Sequence, residues 1–108
     1  MSQAQPNLAG LKQDFDRDGY IAVRPLFDAA RMAEINREFD RYVAECVPKM
    51  ADTEVFYEAK GDKSSLKQMQ NMQYYDAYFR DLLETDTIRQ LAEAMLGEPA
   101  RAVSLEYF

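Results

Sequence analysis

The strongest periodicity in the chain lies between Asp28 and Pro48. Met32, Ile35, Phe39, Tyr42, Val43 and Cys46 recur at three- and four-residue spacing, and Arg31, Glu34, Arg37, Glu38, Arg41 and Glu45 fill the opposite face. This pattern predicts an amphipathic helix over residues 29–47. Asp28 supplies a side-chain acceptor for its first free N–H groups, and Pro48 ends it. Three shorter helices are predicted around it. Leu8, Leu11 and Phe15 share a face after Asn7, and Gly19 suits the left-handed cap position. Tyr75, Tyr78, Phe79, Leu82 and Leu83 form a second stripe, with Asp76 as cap. Ile88, Leu91, Ala92, Met95 and Leu96 form a third, opened by Asp86 and closed by Gly97, with Pro99 beyond.

Between the helices the pattern shifts toward strands. Residues 20–24, at the start of "YIAVRPLF", are apolar and β-branched and predict a strand ending at Arg24–Pro25. "EVFYEAK" and "SSLKQMQNM" flank "GDKS" and predict an antiparallel hairpin turning at Gly61–Asp62. The second of these alternates Leu66, Met69 and Met72 with Lys67, Gln68, Gln70, Asn71 and Gln73. Such a strand either faces water or lines a polar cavity. "ARAVSLEYF" predicts a closing strand with Val103, Leu105 and Tyr107 on one face and Ala102, Ser104, Glu106 and Phe108 on the other. The expected class is α+β, with helices packed on a small, mainly antiparallel sheet. Residues 1–7 are expected to form a disordered N-terminus and residues 8–108 a single domain.

"DFDRDGYI" raises a separate question, because Asp14, Asp16 and Asp18 sit at alternate positions before Gly19, as in a calcium loop. The twelfth loop position, which should be a bidentate glutamate, is Pro25. A helix ending at a glycine cap accounts better for the stretch.

Composition narrows the function classes. With 47% hydrophobic residues in 108, the chain can bury one modest core. Its net charge of −6 disfavours a phosphate backbone as partner. No apolar run approaches the roughly 20 residues of a membrane helix, and the N-terminus has no secretion signal. A single cysteine, Cys46, makes no internal disulfide and points to a reducing cytoplasm; its place on the apolar stripe marks it as core. There is no histidine, which removes Ser–His–Asp triads, Cys–His pairs and imidazole metal sites from this chain. No complete active site is visible, so no catalytic and no metal-ligating residue is assigned.

The order of elements resembles a known family. "FDRDGYIAVRPLFD", residues 15–28, is similar to the opening of the phytanoyl-CoA dioxygenase family, where a Phe-x-x-x-Gly-Tyr helix end leads into an apolar strand, a short turn and a long helix. "SLKQMQNM", "YFRDLLETDTIRQLAEAMLGEPA" and "AVSLEYF" follow in the family's order. The resemblance implies an oxygenase that uses Fe(II), 2-oxoglutarate and O₂ to hydroxylate a small molecule, on a double-stranded β-helix (cupin-like) core. It implies that this chain is the N-terminal part of that fold, truncated before the His-x-Asp metal motif. Iron and 2-oxoglutarate then belong to the full-length parent, and none is expected bound to this chain. The resemblance places Lys67 where some relatives contact 2-oxoglutarate. The ammonium suits a dianion, and amides such as Gln68 or Gln70 can orient its oxygens; Lys67 and Gln70 are the cofactor-binding candidates. Glu106 stands near another family cavity position, but its carboxylate would repel the cosubstrate. A homodimer through the exposed terminal strand is the expected partner, with no nucleic acid and no membrane. The alternative is a complete α+β interaction module without catalysis, using the "MQNMQYYDAYF" surface.

Overall fold

The computed structural model describes residues 7–108, which fold as four α-helices around a small antiparallel sheet. The expected disordered N-terminus lies outside the described residues apart from Asn7. Helix α1, Leu8–Asp18, begins where Asn7 Oδ1 accepts the Gly10 N–H and ends at Gly19, whose φ of 83° is the left-handed cap. Helix α2, Ala29–Glu45, is capped by Asp28, which accepts the Arg31 N–H at 2.8 Å. A 3-10 turn over Val47–Lys49, with Pro48 in its first turn, follows directly.

The predicted strand over residues 20–24 does not form. This stretch is irregular, contains a cis Arg24–Pro25 bond and leaves Tyr20 exposed. An apolar run becomes a strand only where a neighbour pairs with it, and among the described residues no backbone hydrogen bond reaches it. The hairpin does form, in shorter strands. Strand β1, Val55–Tyr57, pairs antiparallel with β2, Leu66–Met69. The expected two-residue turn is a longer loop. Asp62 N–H donates to Ala59 O across Gly61 (φ 85°), and a 3-10 turn over Lys63–Ser65 returns the chain. Ser65 Oγ accepts the Ala59 N–H at 3.0 Å and ties the loop shut.

Helix α3, Ala77–Leu83, starts at Asp76, which accepts the Phe79 N–H. Helix α4, Asp86–Leu96, has Thr85 at its cap position and ends at Gly97. Lys12 holds α1 on α4, donating to Met95 O at 2.8 Å while pairing with Asp16 at 2.9 Å. Cations at a helix C-terminus are favourable there.

The core is one cluster in which Tyr42, Cys46, Met50, Val55, Met69, Met72, Phe79 and Leu82 are buried. Tyr42 and Met69 are fully enclosed, and burying a side chain of this size contributes about 1.5–3 kcal/mol. The Tyr42 ring meets Phe79 edge-on at 5.2 Å, and its hydroxyl lies 3.3 Å from Met50 Sδ and 3.4 Å from Met72 O. Burial raises the Tyr42 pKa, so the hydroxyl stays a donor. Cys46 is core as expected, and burial pushes its thiol pKa up. Four stripe residues differ from expectation: Leu8 and Ile88 at the starts of α1 and α4, Met32 at the N-terminal end of α2 and Leu96 in the last turn of α4 are exposed.

Candidate functional site: the hairpin and terminal segment

Strand β2 is the middle of three extended segments. On one side it pairs with β1 through Val55↔Met69, Phe56↔Gln68 and Tyr57↔Leu66. On the other, Met69 and Tyr107 exchange two backbone hydrogen bonds of 2.9 and 3.0 Å. Residues 101–108 were expected to form a full strand, but pairing is confined to this bridge. The cause lies at Asn71, which adopts a left-handed conformation (φ 56°). A regular ladder would have Asn71 donate to Leu105, but Met72 does so instead, at 3.0 Å. Gln70 and Asn71 together therefore oppose Glu106, as in a β-bulge. Beyond the bulge a side chain replaces the ladder. The buried Gln73 accepts the Leu105 N–H at 3.0 Å and donates to Val103 O at 3.4 Å.

A second irregularity sets the position of Lys67. One step on β1, from Phe56 to Tyr57, matches two on β2, from Gln68 to Leu66, so Lys67 is the extra residue. This lets Leu66 and Met69 both face the core and leaves Lys67 outside, its side chain 64% exposed and paired with Glu58 at 3.2 Å. Gln70 lies just past the end of β2, half-buried, and its backbone N–H donates to Glu54 O at 2.8 Å. No side-chain hydrogen bond joins Lys67 to Gln70. The two candidates share a strand region without converging. Glu106 is exposed on the terminal segment.

The polar cluster that does converge escaped the sequence reading. Tyr75 hydroxyl and Asn71 amide both donate to the Glu54 carboxylate, the latter at 2.9 Å, and Ala51 N–H donates to Tyr75 hydroxyl at 3.3 Å. The Tyr75 and Asn71 hydrogen bonds hold the Glu54 pKa below the usual carboxylate value. Nothing in the pattern of apolar positions marks Glu54, which precedes the strand; only the left-handed turn at Asn71 brings it and Tyr75 together.

The acidic stretch is not a calcium loop. Asp14, Asp16 and Asp18 lie in α1, Arg17 pairs with Asp14 and Asp18 at 3.2 and 2.8 Å, and Lys12 pairs with Asp16. An open groove of about 760 Å³ lies elsewhere, between α3, α4 and residues 100–103, with Tyr74, Ile88, Arg89, Arg101 and Val103 in its lining. It shares no residue with the hairpin.

Strand β2 and the residue after it offer one cation, Lys67, and two amides, Gln68 and Gln70. These donors suit a carboxylate. They do not suit iron, for which two imidazoles and a carboxylate are the usual set. The chain has no histidine, and among the described residues no three metal-ligating side chains gather.

Comparison with curated proteins gives no match, and comparison with solved structures gives none. The family model Phytanoyl-CoA dioxygenase (PhyH) matches residues 15–107, nearly the whole chain. That stretch runs from the last turns of α1 through the hairpin to Tyr107, and with the α+β arrangement of its elements it places the chain in the phytanoyl-CoA dioxygenase family.

Proposed function

We propose that this chain forms the N-terminal part of an Fe(II)- and 2-oxoglutarate-dependent oxygenase acting on a small molecule. The observation that carries this is the family match over residues 15–107 in a chain without a histidine. The oxygenase chemistry is supplied by the metal and its cosubstrate, and the residues here hold neither of them completely. Their part is structural and preparatory. Helices α2 and α3 back the sheet, and the hairpin presents Lys67 and Gln70 as donors for the 2-oxoglutarate carboxylates. The Lys67–Glu58 pair is no obstacle, since an exposed pair is worth about 0–1 kcal/mol and exchanges readily for a dianion. The iron ligands lie outside these 108 residues, and the chain alone turns nothing over. The single, buried Cys46 suits a reducing cytoplasm, and no helix among the described residues is long and apolar enough to cross a membrane.

Anaerobic titration of Fe(II) and 2-oxoglutarate into the purified chain tests this. The expected result is no visible charge-transfer band from chelated iron and 2-oxoglutarate. A band saturating at one iron per chain would place a metal site within these residues and overturn the reading.

A further inference from the structure

Val55 and Met69 oppose each other across the hairpin, and both side chains are in the core. Glu54 and Gln70 are the next opposed pair, joined by the bond from Gln70 N–H to Glu54 O at 2.8 Å. Side chains alternate between the faces of a sheet, so Gln70, like Gln68, projects from the face opposite Met69. Both glutamines are half-buried, and neither belongs to the core cluster. Gln70 is therefore the last extended residue of the strand that carries the cosubstrate donors.

The chain turns away at Asn71, the one non-glycine residue with positive φ among the described residues. A left-handed backbone is unfavourable for an L-residue and persists where its surroundings hold it. Glu54 is the holder. Its Oε2 accepts the Asn71 side-chain amide at 2.9 Å, and its Oε1 accepts the Tyr75 hydroxyl. The Tyr75 hydroxyl in turn accepts the Ala51 N–H at 3.3 Å. The 3-10 turn over Met72–Tyr74 links Asn71 to Tyr75 and closes the ring of contacts. Glu54 thus grips two successive residues, Gln70 through its carbonyl and Asn71 through its carboxylate.

We propose that Glu54 and Tyr75 are positioning residues, acting through the Asn71 turn to set the Gln70 amide for 2-oxoglutarate. The inference rests on the oxygenase reading. A strand end followed by a free residue frays, and an amide carried on it must be ordered when the cosubstrate binds. A turn locked in the folded protein meets that ordering cost beforehand, which strengthens binding. An ionised carboxylate makes the lock strong, because its hydrogen bonds are charge-assisted. Each of its oxygens already has a donor, so Glu54 serves Asn71 and Tyr75 and does not touch the cosubstrate.

Nuclear magnetic resonance of the 108-residue chain tests the lock itself. In Glu54→Ala the Asn71 backbone coupling should leave its left-handed value, and the Gln70 amide should lose exchange protection. Tyr75→Phe removes only a hydroxyl and should act in the same direction, which keeps the test available if Glu54→Ala does not fold. Retention of the turn and of the protection in these variants overturns the proposal. Kinetics of a longer, active form test its consequence. Glu54→Ala should raise the KM for 2-oxoglutarate about two- to tenfold, the worth of one neutral hydrogen bond, with kcat and iron affinity unchanged. In a Gln70→Ala background the same change should add nothing, because the lock acts through that amide. An unchanged KM, or an equal rise in the Gln70→Ala background, overturns the proposal. If Lys67→Ala and Gln70→Ala raise KM while Glu54→Ala does not, the positioning role alone fails. If neither Lys67→Ala nor Gln70→Ala moves KM, the hairpin holds no cosubstrate, and the oxygenase reading of these donors fails together with the positioning role.

Discussion

Arg41 on α2 and Asp76 at the start of α3 meet at 2.9 Å across 35 residues of sequence. The same guanidinium also holds Glu38 and Glu45 on its own helix, and the same carboxylate caps α3 through the Phe79 N–H. One bond thus fixes where the second helix sits on the first. Asp76 is the more enclosed partner, its side chain 13% exposed against 32% for Arg41. Asp76→Ala removes a helix cap, worth about 0.5–2 kcal/mol, and leaves Arg41 short of its deepest partner. We expect a loss of about 2–3 kcal/mol in urea unfolding. Asp76→Asn, which keeps the cap acceptor, should lose less than Asp76→Ala. Equal losses would mean that the ion pair alone sets the cost.

The same carboxylate makes stability depend on acid. Burial by itself raises the Asp76 pKa, but the Arg41 hydrogen bond and the Phe79 N–H outweigh it and leave the value lowered. Glu54 is lowered too, by Tyr75 and Asn71. A carboxylate with a depressed pKa in the folded state stabilises the protein above its unfolded value of about 4 and loses that contribution as pH falls through the folded value. Unfolding free energy should therefore be flat from neutral pH down to about 5 and fall below about 4. Asp76→Asn should flatten that fall, and an unchanged acid limb in the variant would assign it to other groups.

The terminal segment is anchored by an aromatic pair as well as by backbone. Phe39 on α2 lies 4.7 Å from the Tyr107 ring at a 41° tilt. Both rings are half-buried, so Phe39→Ala should cost less than a full core truncation, about 2 kcal/mol where buried Phe→Ala costs 3–5. The amide of Tyr107 should lose exchange protection in the variant. A melting temperature equal to the parent's would show that the pair contributes nothing.

The helices were legible because each carries its own punctuation. Asn7, Asp28 and Asp76 accept N–H groups at the predicted caps, and Gly19 and Gly97 take the left-handed positions. A cap is a local interaction between residues three apart, so the sequence contains all of it. The sheet was legible only as a hairpin. Its register depends on Lys67 as an inserted residue and on Asn71 turning left-handed, and neither is marked by alternation. "YIAVR" fails as a strand for a related reason: it has strand composition but no partner, and a partner is a property of the fold. The Glu54–Asn71–Tyr75 cluster was invisible because its members are joined by that same turn. Lys67 was singled out by resemblance alone, and the bulge at that position explains physically why a lysine is tolerated there.

The acidic run in α1 gives a direct expectation. Asp14, Asp16 and Asp18 are fixed in helical geometry and paired with Lys12 and Arg17, and Pro25 occupies the twelfth place, where a calcium loop needs a bidentate carboxylate. Calorimetry should show no calcium isotherm in the micromolar range where sensor loops work. A clear isotherm that disappears in Asp14→Ala would contradict the helical assignment of this stretch.

Lys67 provides the test closest to function. In a longer, active form of the protein, Lys67→Ala should raise the KM for 2-oxoglutarate and leave iron binding unchanged, because an ammonium contacts a carboxylate and does not ligate the metal. A charge-assisted hydrogen bond contributes about 1.5–3 kcal/mol, which corresponds to an increase of roughly ten- to a hundredfold in KM. Glu58→Gln gives the opposite sign. Removing the carboxylate that holds Lys67 at 3.2 Å frees the ammonium for the cosubstrate, so KM should fall slightly, by no more than the small worth of an exposed pair. The two variants together separate a binding lysine from one that merely balances surface charge. If Lys67 serves only Glu58, neither change will move the cosubstrate kinetics. If it serves 2-oxoglutarate, the two shifts will run in opposite directions and the first will be the larger.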